Sequence, residues 1–294
     1  MSALPAEREW LAGIRPRKRL GQNFLLDPRI PQEIVRRASW PPGAPVLEIG
    51  PGGGALTAEL LAAGHRVSAV EIDPALAELL RRRFAAELQS GSFEVTCGDI
   101  LETGLPSAGP DGGRWLAGNL PYGLTTPILL RSMRARAHLA GAVFMVQREY
   151  GERVLAAAGE KAYGSLSVWV AAHALTRSLL RVGRSAFWPR PGVESIVIEF
   201  LFPDPPPFDG NRPLLERLLR SAFGQRRKTL ENALAHGFDL PKTRVRQLCQ
   251  DAGVDPTVRA ETLPLARFAA LTAVWEEPAV ADPRNAEAGE GAET

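Results

Sequence analysis

Cysteine is nearly absent. Cys97 and Cys249 are the only two in 294 residues, and neither stands beside another ligand at metal spacing. The four histidines, His65, His138, His173 and His236, are equally scattered. A disulfide framework and a bound metal are both disfavoured, which suits a reducing cytoplasm. No uninterrupted apolar run approaches the ~18 residues of a membrane span. The N-terminus "MSALPAEREWLAGIRPRKRL" carries its basic cluster behind the apolar residues, with no small-residue cleavage site after it, and is not expected to act as a secretory signal. The expectation is a cytoplasmic monomer without metal or membrane partner.

Net charge is low as well, +2 at neutral pH, but it is unevenly spread. Arg8, Arg15, Arg17, Lys18 and Arg19 crowd the head against Glu7 and Glu9. Residues 212–246 hold Arg212, Arg217, Arg220, Arg226, Arg227, Lys228, Lys242, Arg244 and Arg246 against Glu216, Glu231 and Asp239. The tail from Glu276 is acidic. Two basic regions suit a polyanion partner, and they equally suit solvated helix faces.

What is abundant is alternation of apolar strands with amphipathic helices. "PVLEIG", "RVSAVEID", "FEVTCGDI", "RWLAGNL" and "GAVFMVQ" read as buried strands, with helices over "ALTAELLAAG", "PALAELLRRRFAAEL" and Thr125–Arg136. Such repeated units predict an α/β domain with a parallel sheet covered on both faces. "TRSLLRVGRSAF" and "ESIVIEFLF" read as a closing pair of strands. The proline-rich "PDPPPFDG" interrupts the pattern, and the chain beyond it reads as helical. Residues 1–206 are thus expected to form one domain, with 1–16 a flexible basic head. Residues 207–276 would form a helical domain, and 277–294 a disordered acidic tail.

"VLEIGPGGGALTAEL" sets a glycine-rich turn between a strand and a helix. Gly50, Gly52 and Gly54 allow a ligand to approach the backbone, and the helix N-terminus favours negative charge. Glu71 ends the next strand, where a carboxylate accepts from both ribose hydroxyls of an adenosine-containing cofactor. Gly50, Gly52 and Ala55 also satisfy the dinucleotide pattern, but no hydride-transfer partner is in evidence. Asp99, ending the third strand, suits an adenine amino group and so S-adenosylmethionine; taken singly it is equally a helix cap.

The fourth strand stops at "GNLPY". An adenine amine is a poor nucleophile because its lone pair is delocalised into the ring. Acceptors for both amine hydrogens favour a tetrahedral nitrogen: the Asn119 side-chain oxygen is one and the Leu120 carbonyl the other. Pro121 has no N–H to compete and stiffens the backbone. Tyr122 offers a stacking face to a base taken out of its helix. A proline turn closing a strand would use the same four residues; the position downstream of the cofactor loop and both acids favours chemistry.

"KRLGQNFLLD", "EIGPGGGALT", "VEID", "GDI", "GNLPY", "FWPRPGVES" and "FGQRRKTLENAL" stand in the order found in KsgA-type ribosomal RNA adenine dimethyltransferases, which the chain resembles over about residues 17–275. The resemblance implies a Rossmann-like class I S-adenosylmethionine-dependent methyltransferase domain with a smaller C-terminal all-helical, RNA-binding domain. It implies dimethylation of two adjacent adenosines near the 3′ end of 16S rRNA and a role in small-subunit biogenesis. By motif, Asn23, Leu25, Gly50, Gly52, Glu71, Asp99 and Asn119 would contact the cofactor, and Phe187 would face Tyr122 across the base. Erm-type large-subunit methylases share the loop and a similar Asn-x-Pro-Tyr; "FGQRRKTLENAL" with "VRAETLPLARFAAL" favours the KsgA type. A mainly non-catalytic rRNA-docking factor is the alternative from another class, against which Asn119, Tyr122 and Glu71 stand intact.

Overall fold

A computed structural model of the protein describes residues 7–105, 113–225 and 227–275. The tail 277–294, expected from its composition to be disordered, and Arg226 of the second basic region lie outside the described residues. The chain divides into two compact units, Met1–Phe208 and Asp209–Thr294.

The first unit opens with α1 (Glu7–Trp10), the two-residue strand β1 (Phe24–Leu25) and α2 (Arg29–Arg37). Then come β2 (Pro45–Ile49), α3 (Ala55–Ala62), β3 (Arg66–Glu71), α4 (Pro74–Arg83), α5 (Ala85–Ser90), β4 (Phe93–Cys97) and α6 (Ile100–Thr103). The unit continues through β5 (Arg114–Asn119), α7 (Thr125–Arg134), β6 (Leu139–Gln147), α8 (Arg148–Leu155) and α9 (Ser165–Ala171). It closes with β7 (Leu175–Val182), β8 (Phe187–Trp188) and β9 (Ser195–Leu201). Seven strands form one sheet in the order β4-β3-β2-β5-β6-β9-β7. The first five are parallel, whereas β9 runs antiparallel to both β6 and β7. Strands covered on both faces need apolar residues throughout, and Leu116, Ala117, Ala142 and Phe144 have no exposed surface.

Strand order reverses direction between β2 and β5, and ligands of open α/β sheets settle outside the strand ends at such a point. The two strands come close there: a Cβ on Gly118 would lie 2.6 Å from the Ile49 carbonyl oxygen. Glycine therefore lets the last residue of β5, Asn119, stand beside the start of the glycine loop.

Two expectations from sequence need correction. "PALAELLRRRFAAEL" is not one helix, because the backbone breaks at Phe84 (φ −113°, ψ 37°) between α4 and α5. The Phe84 ring turns inward against Phe93 and beneath the glycine loop, where a Cβ on Gly54 would meet it at 2.7 Å. Burying that ring outweighs one missing turn of helix. Nor is the head loose from residue 7 onward. Glu7 receives two hydrogen bonds from Arg83, at 2.6 and 2.8 Å, and the Arg83 side chain is 2% exposed. Arg83 also donates to the Gly53 carbonyl (2.6 Å), and Leu11 packs with Phe24 and Leu76. The basic residues of the head suggest a free arm; within residues 7–16 it is anchored by one acid, Glu7, and one leucine, Leu11.

The second unit consists of α10 (Arg212–Gly224), α11 (Leu230–Phe238), α12 (Lys242–Asp251) and α13 (Leu265–Val274). Asn211 caps α10 by accepting from the Leu214 N–H (3.0 Å). Leu218, Leu234, Val245 and Phe268 bury the facing sides of the four helices.

The Glu7–Arg83 pair supplies a test. Glu7→Ala leaves a buried guanidinium without its counter-charge and should cost on the order of 3 kcal/mol, read as a lower urea midpoint at unchanged slope. Glu7→Gln, which keeps an acceptor, should cost less. A neutral Glu7→Ala would mean that the head contributes nothing to the folded unit.

Candidate active site

Loops from one edge of the sheet meet around a cavity of about 990 Å³, counting space open to solvent at its mouth. Gly50–Gly53 follow β2, Glu71 and Ile72 close β3, Leu120–Tyr122 follow β5, and Leu20–Leu25 complete the wall. Asn23, Leu25, Gly50, Gly52, Glu71, Asn119, Leu120, Pro121 and Tyr122 all line it. Asp99 and Phe187 are not among its lining residues. Asp99 caps α6, its Oδ1 accepting from the Leu101 N–H at 2.8 Å. Phe187 stands opposite Leu25 in the β1–β8 ladder and is buried in the core with Ile34, Val143, Met145 and Val197, which back the cavity wall.

The glycine loop suits close approach of a ligand. Gly50, Gly52 and Gly54 have φ of 64°, 60° and 87°, which side-chain-bearing residues adopt only with strain. Nothing lies within 4 Å of where a Gly50 Cβ would be. Glu71, 3% exposed, is fixed by two backbone donors: Gly52 N–H to Oε2 at 3.1 Å and Asp73 N–H to Oε1 at 2.9 Å. Each oxygen keeps a further lone pair for hydroxyl donors at the cavity. Burial raises the Glu71 pKa, and those backbone donors partly offset the rise.

Asp73 binds the wall together. Its Oδ1 caps α4 through the Ala75 N–H (3.1 Å), while Oδ2 accepts from Gln22 Nε2 (3.1 Å) and Arg17 Nε (3.2 Å). Gln22 Oε1 in turn accepts from the Arg17 N–H at 2.7 Å. The segment so clasped carries Asn23, whose carbonyl accepts from Asn119 Nδ2 at 3.0 Å. An amide with its nitrogen committed presents its oxygen on the other side. Among the described residues neither Asn119 Oδ1 nor the Leu120 carbonyl takes a hydrogen bond.

Sequence reading missed Glu48, Ile72 and the Gln22–Asp73 clasp. Ile72 lines the cavity with 42% of its surface exposed, an apolar platform for a flat ring; in sequence it is overshadowed by its flanking acids. Glu48 lies inside the strand "PVLEIG" at 2% exposure, its Oε2 accepting from the Thr57 hydroxyl at 2.6 Å. Burial pushes its pKa up to about 7; the Thr57 bond pulls it down, Glu71 adds to the rise and Arg83 opposes it. A lone acid in an apolar strand was the available signal.

Both buried acids therefore bind protons more tightly folded than unfolded. Their contribution to stability is full below the ordinary value of 4.5 and is lost as pH rises above it, for Glu48 as pH passes through about 7. The melting temperature of the ligand-free protein should fall over that interval, and Glu48→Gln should remove part of the fall. A variant with the wild-type pH profile would show that Glu48 titrates normally.

The family described as ribosomal RNA adenine dimethylase matches residues 13–276. Ribosomal RNA small subunit methyltransferase A of Desulfitobacterium hafniense is 40% identical over 260 residues, spanning 88% of this chain and 92% of its own. The protein of the same name from Moorella thermoacetica is 41% identical over 270 residues, with the same shares. Among solved structures, a dimethyladenosine transferase from Plasmodium falciparum superposes with TM-score 0.73 at 26% identity, covering 84% of this chain and 95% of its own. The 23S rRNA methyltransferase ErmE gives 0.67 at 25% identity, covering 85% and 98%. A class I methyltransferase sheet, a cavity built on its strand-order reversal and a family match over nearly the whole chain place this protein in the ribosomal RNA adenine dimethylase family.

Proposed function

We propose that the protein transfers methyl groups from S-adenosylmethionine to the N6 amines of two adjacent adenosines near the 3′ end of 16S rRNA, within the small subunit or its precursor. It would work as a cytoplasmic monomer with a role in small-subunit biogenesis. One observation supports the chemistry: Asn119 and Leu120 line the cavity, and the Asn119 amide nitrogen is bonded to the Asn23 carbonyl, which leaves its oxygen uncommitted beside the Leu120 carbonyl. The small-subunit substrate is supported by relatives named as small-subunit methyltransferases at about 40% identity.

When bound, S-adenosylmethionine supplies an electrophilic methyl group on a sulfonium. Glu71 would hold the ribose hydroxyls, Ile72 the face of the adenine, and the Gly50–Gly53 backbone the methionine side. Asp99 would reach the adenine amine through its uncommitted oxygen. Asn119 Oδ1 and the Leu120 carbonyl would accept the two hydrogens of the target amine, drawing its lone pair out of the ring. The positive charge that develops on the target nitrogen during transfer would be stabilised by these two oxygens. The proton is then lost to water, and no general base is needed beforehand. After one transfer a single N–H remains, and one acceptor is enough for the second. Tyr122, half-buried at the cavity, would stack on the extruded base. Phe187 would support that pocket from behind.

The helical unit would dock on RNA phosphates. Arg246 is paired with Glu231 at 3.0 Å, and Arg217 lies over the Phe238 ring at 4.3 Å. Arg220, Arg227, Lys228, Lys242 and Arg244 are exposed and have no ion pair among the described residues.

Three measurements test this reading. Asn119→Ala should slow single-turnover methylation of small ribosomal subunits by roughly one to three orders of magnitude while hardly changing RNA affinity; a wild-type rate would reduce the motif to a turn. Glu71→Ala should abolish most S-adenosylmethionine affinity in calorimetry with RNA binding nearly intact, and an unchanged cofactor affinity would make this acid structural. Replacing Arg227 and Lys228 together by Ala should lower the salt slope of RNA binding by about one for each lost contact. An unaltered slope would leave them a solvated face.

A further inference from the structure

We propose that Trp188 is the stacking platform for a nucleobase next to the target adenosine, a proposal that rests on the protein's methylating RNA. Residues 183–194 join β7 to β9. Because β9 runs antiparallel to β6, with Ser195 opposite Gln147, this loop leaves the sheet at the edge where Asn119 ends β5. In the strand order it lies on the β6 side of β5, away from the cofactor strands β2, β3 and β4. Its strand β8 pairs with β1, whose Phe24 lies against Gly52 of the glycine loop and lines the cavity, so the loop reaches the wall of the reaction cavity.

Trp188 pairs directly with Phe24 in the short antiparallel ladder, so the two side chains share a face. Their rings stack with centroids 6.0 Å apart and planes 28° from parallel. Phe24 is buried and lines the reaction cavity, whereas Trp188 is 37% exposed. Of the large apolar side chains that are exposed among the described residues, Trp188 is the aromatic one, and Val193 of the same loop is another. One side of the indole is thus backed by the cavity wall, and the remainder meets solvent.

The charge around it favours a nucleic acid over a protein. Arg184 and Arg190 of the loop and Arg181 at the end of β7 are exposed. Arg184 donates to the Gly192 carbonyl (3.2 Å), a bond that leaves its charge uncompensated, and Arg190 has no ion pair among the described residues. Glu194, the one acid of the loop, is neutralised by Arg148 at 2.7 Å. An exposed aromatic on a loop whose uncompensated charges are arginines fits a base with its flanking phosphates. Taking the target base out of its stack also strips its neighbour of a partner, and Trp188 would replace that partner.

The test measures methylation against the concentration of unmethylated small ribosomal subunits, at saturating cofactor. Trp188→Ala should raise the half-saturating subunit concentration about tenfold, with a smaller loss in the saturating rate, and Trp188→Phe should restore most of it. S-adenosylmethionine affinity should stay at the wild-type value, which separates lost stacking from a collapsed Phe24 wall. Half-saturation unchanged in Trp188→Ala, or an equal loss in Trp188→Phe, overturns the proposal, as does a loss fully explained by weaker cofactor binding. A photo-crosslinking amino acid at position 188 should mark rRNA within about two nucleotides of the methylated adenosine; a crosslink to distant RNA or to a ribosomal protein overturns it too. If the wild-type protein methylates no subunit at all, the parent reading is what fails.

Discussion

A carboxamide can turn either its donor or its acceptor toward a neighbour, and the hydrogen bond from Asn119 Nδ2 to the Asn23 carbonyl removes that freedom. The rest of the site depends on it. With the nitrogen held at 3.0 Å the oxygen is left uncommitted, and in the proposed reaction little reorganisation would remain when the amine arrives. The bond also joins two segments far apart in the chain, the end of β5 and the loop before α2. The orientation of the Asn119 side chain thus depends on the N-terminal segment being in place.

That requirement explains the investment in residues 7–25. Asp73 clasps Arg17 and Gln22 while capping α4, and its own N–H orients Glu71. Arg83 joins Glu7 to the carbonyl of Gly53. Both anchors reach the cofactor loop and the N-terminal segment together. Loss of either would loosen the cofactor side and the Asn119 side of the cavity at once, because their supports are shared.

The sheet divides the labour. Strands β2 and β3 deliver the glycine loop and Glu71, β5 delivers Asn119, and the β7–β9 connection returns to the same edge. The reversal of strand order between β2 and β5 creates the crevice in which both halves meet. Gly118 is the small residue that permits the two strands to close up there.

Much of this was legible in the sequence because it rests on local pattern. Apolar strand runs, the glycine turn followed by a helix, Glu71 one strand later and the Asn-Leu-Pro-Tyr stop each occupy a short stretch, and the chain's order carries them to one sheet edge. What only tertiary structure decided are interactions whose partners are distant in sequence and unremarkable alone. Glu48 is an ordinary acid until burial raises its pKa to about 7. Phe84 reads as mid-helix until its ring is needed beneath Gly54, and Glu7 reads as one charge in a basic head until Arg83 is buried against it. The pairing of β1 with β8 decided which aromatic of "FWPRPGVES" meets solvent: alternation across two residues sends Phe187 into the core and leaves Trp188 outside. The sequence alone determined which groups this protein brings to its chemistry. Their orientation was decided by contacts between segments whose spacing along the chain carries no signal, since the free energy of each depends on a desolvated environment that exists only in the folded state.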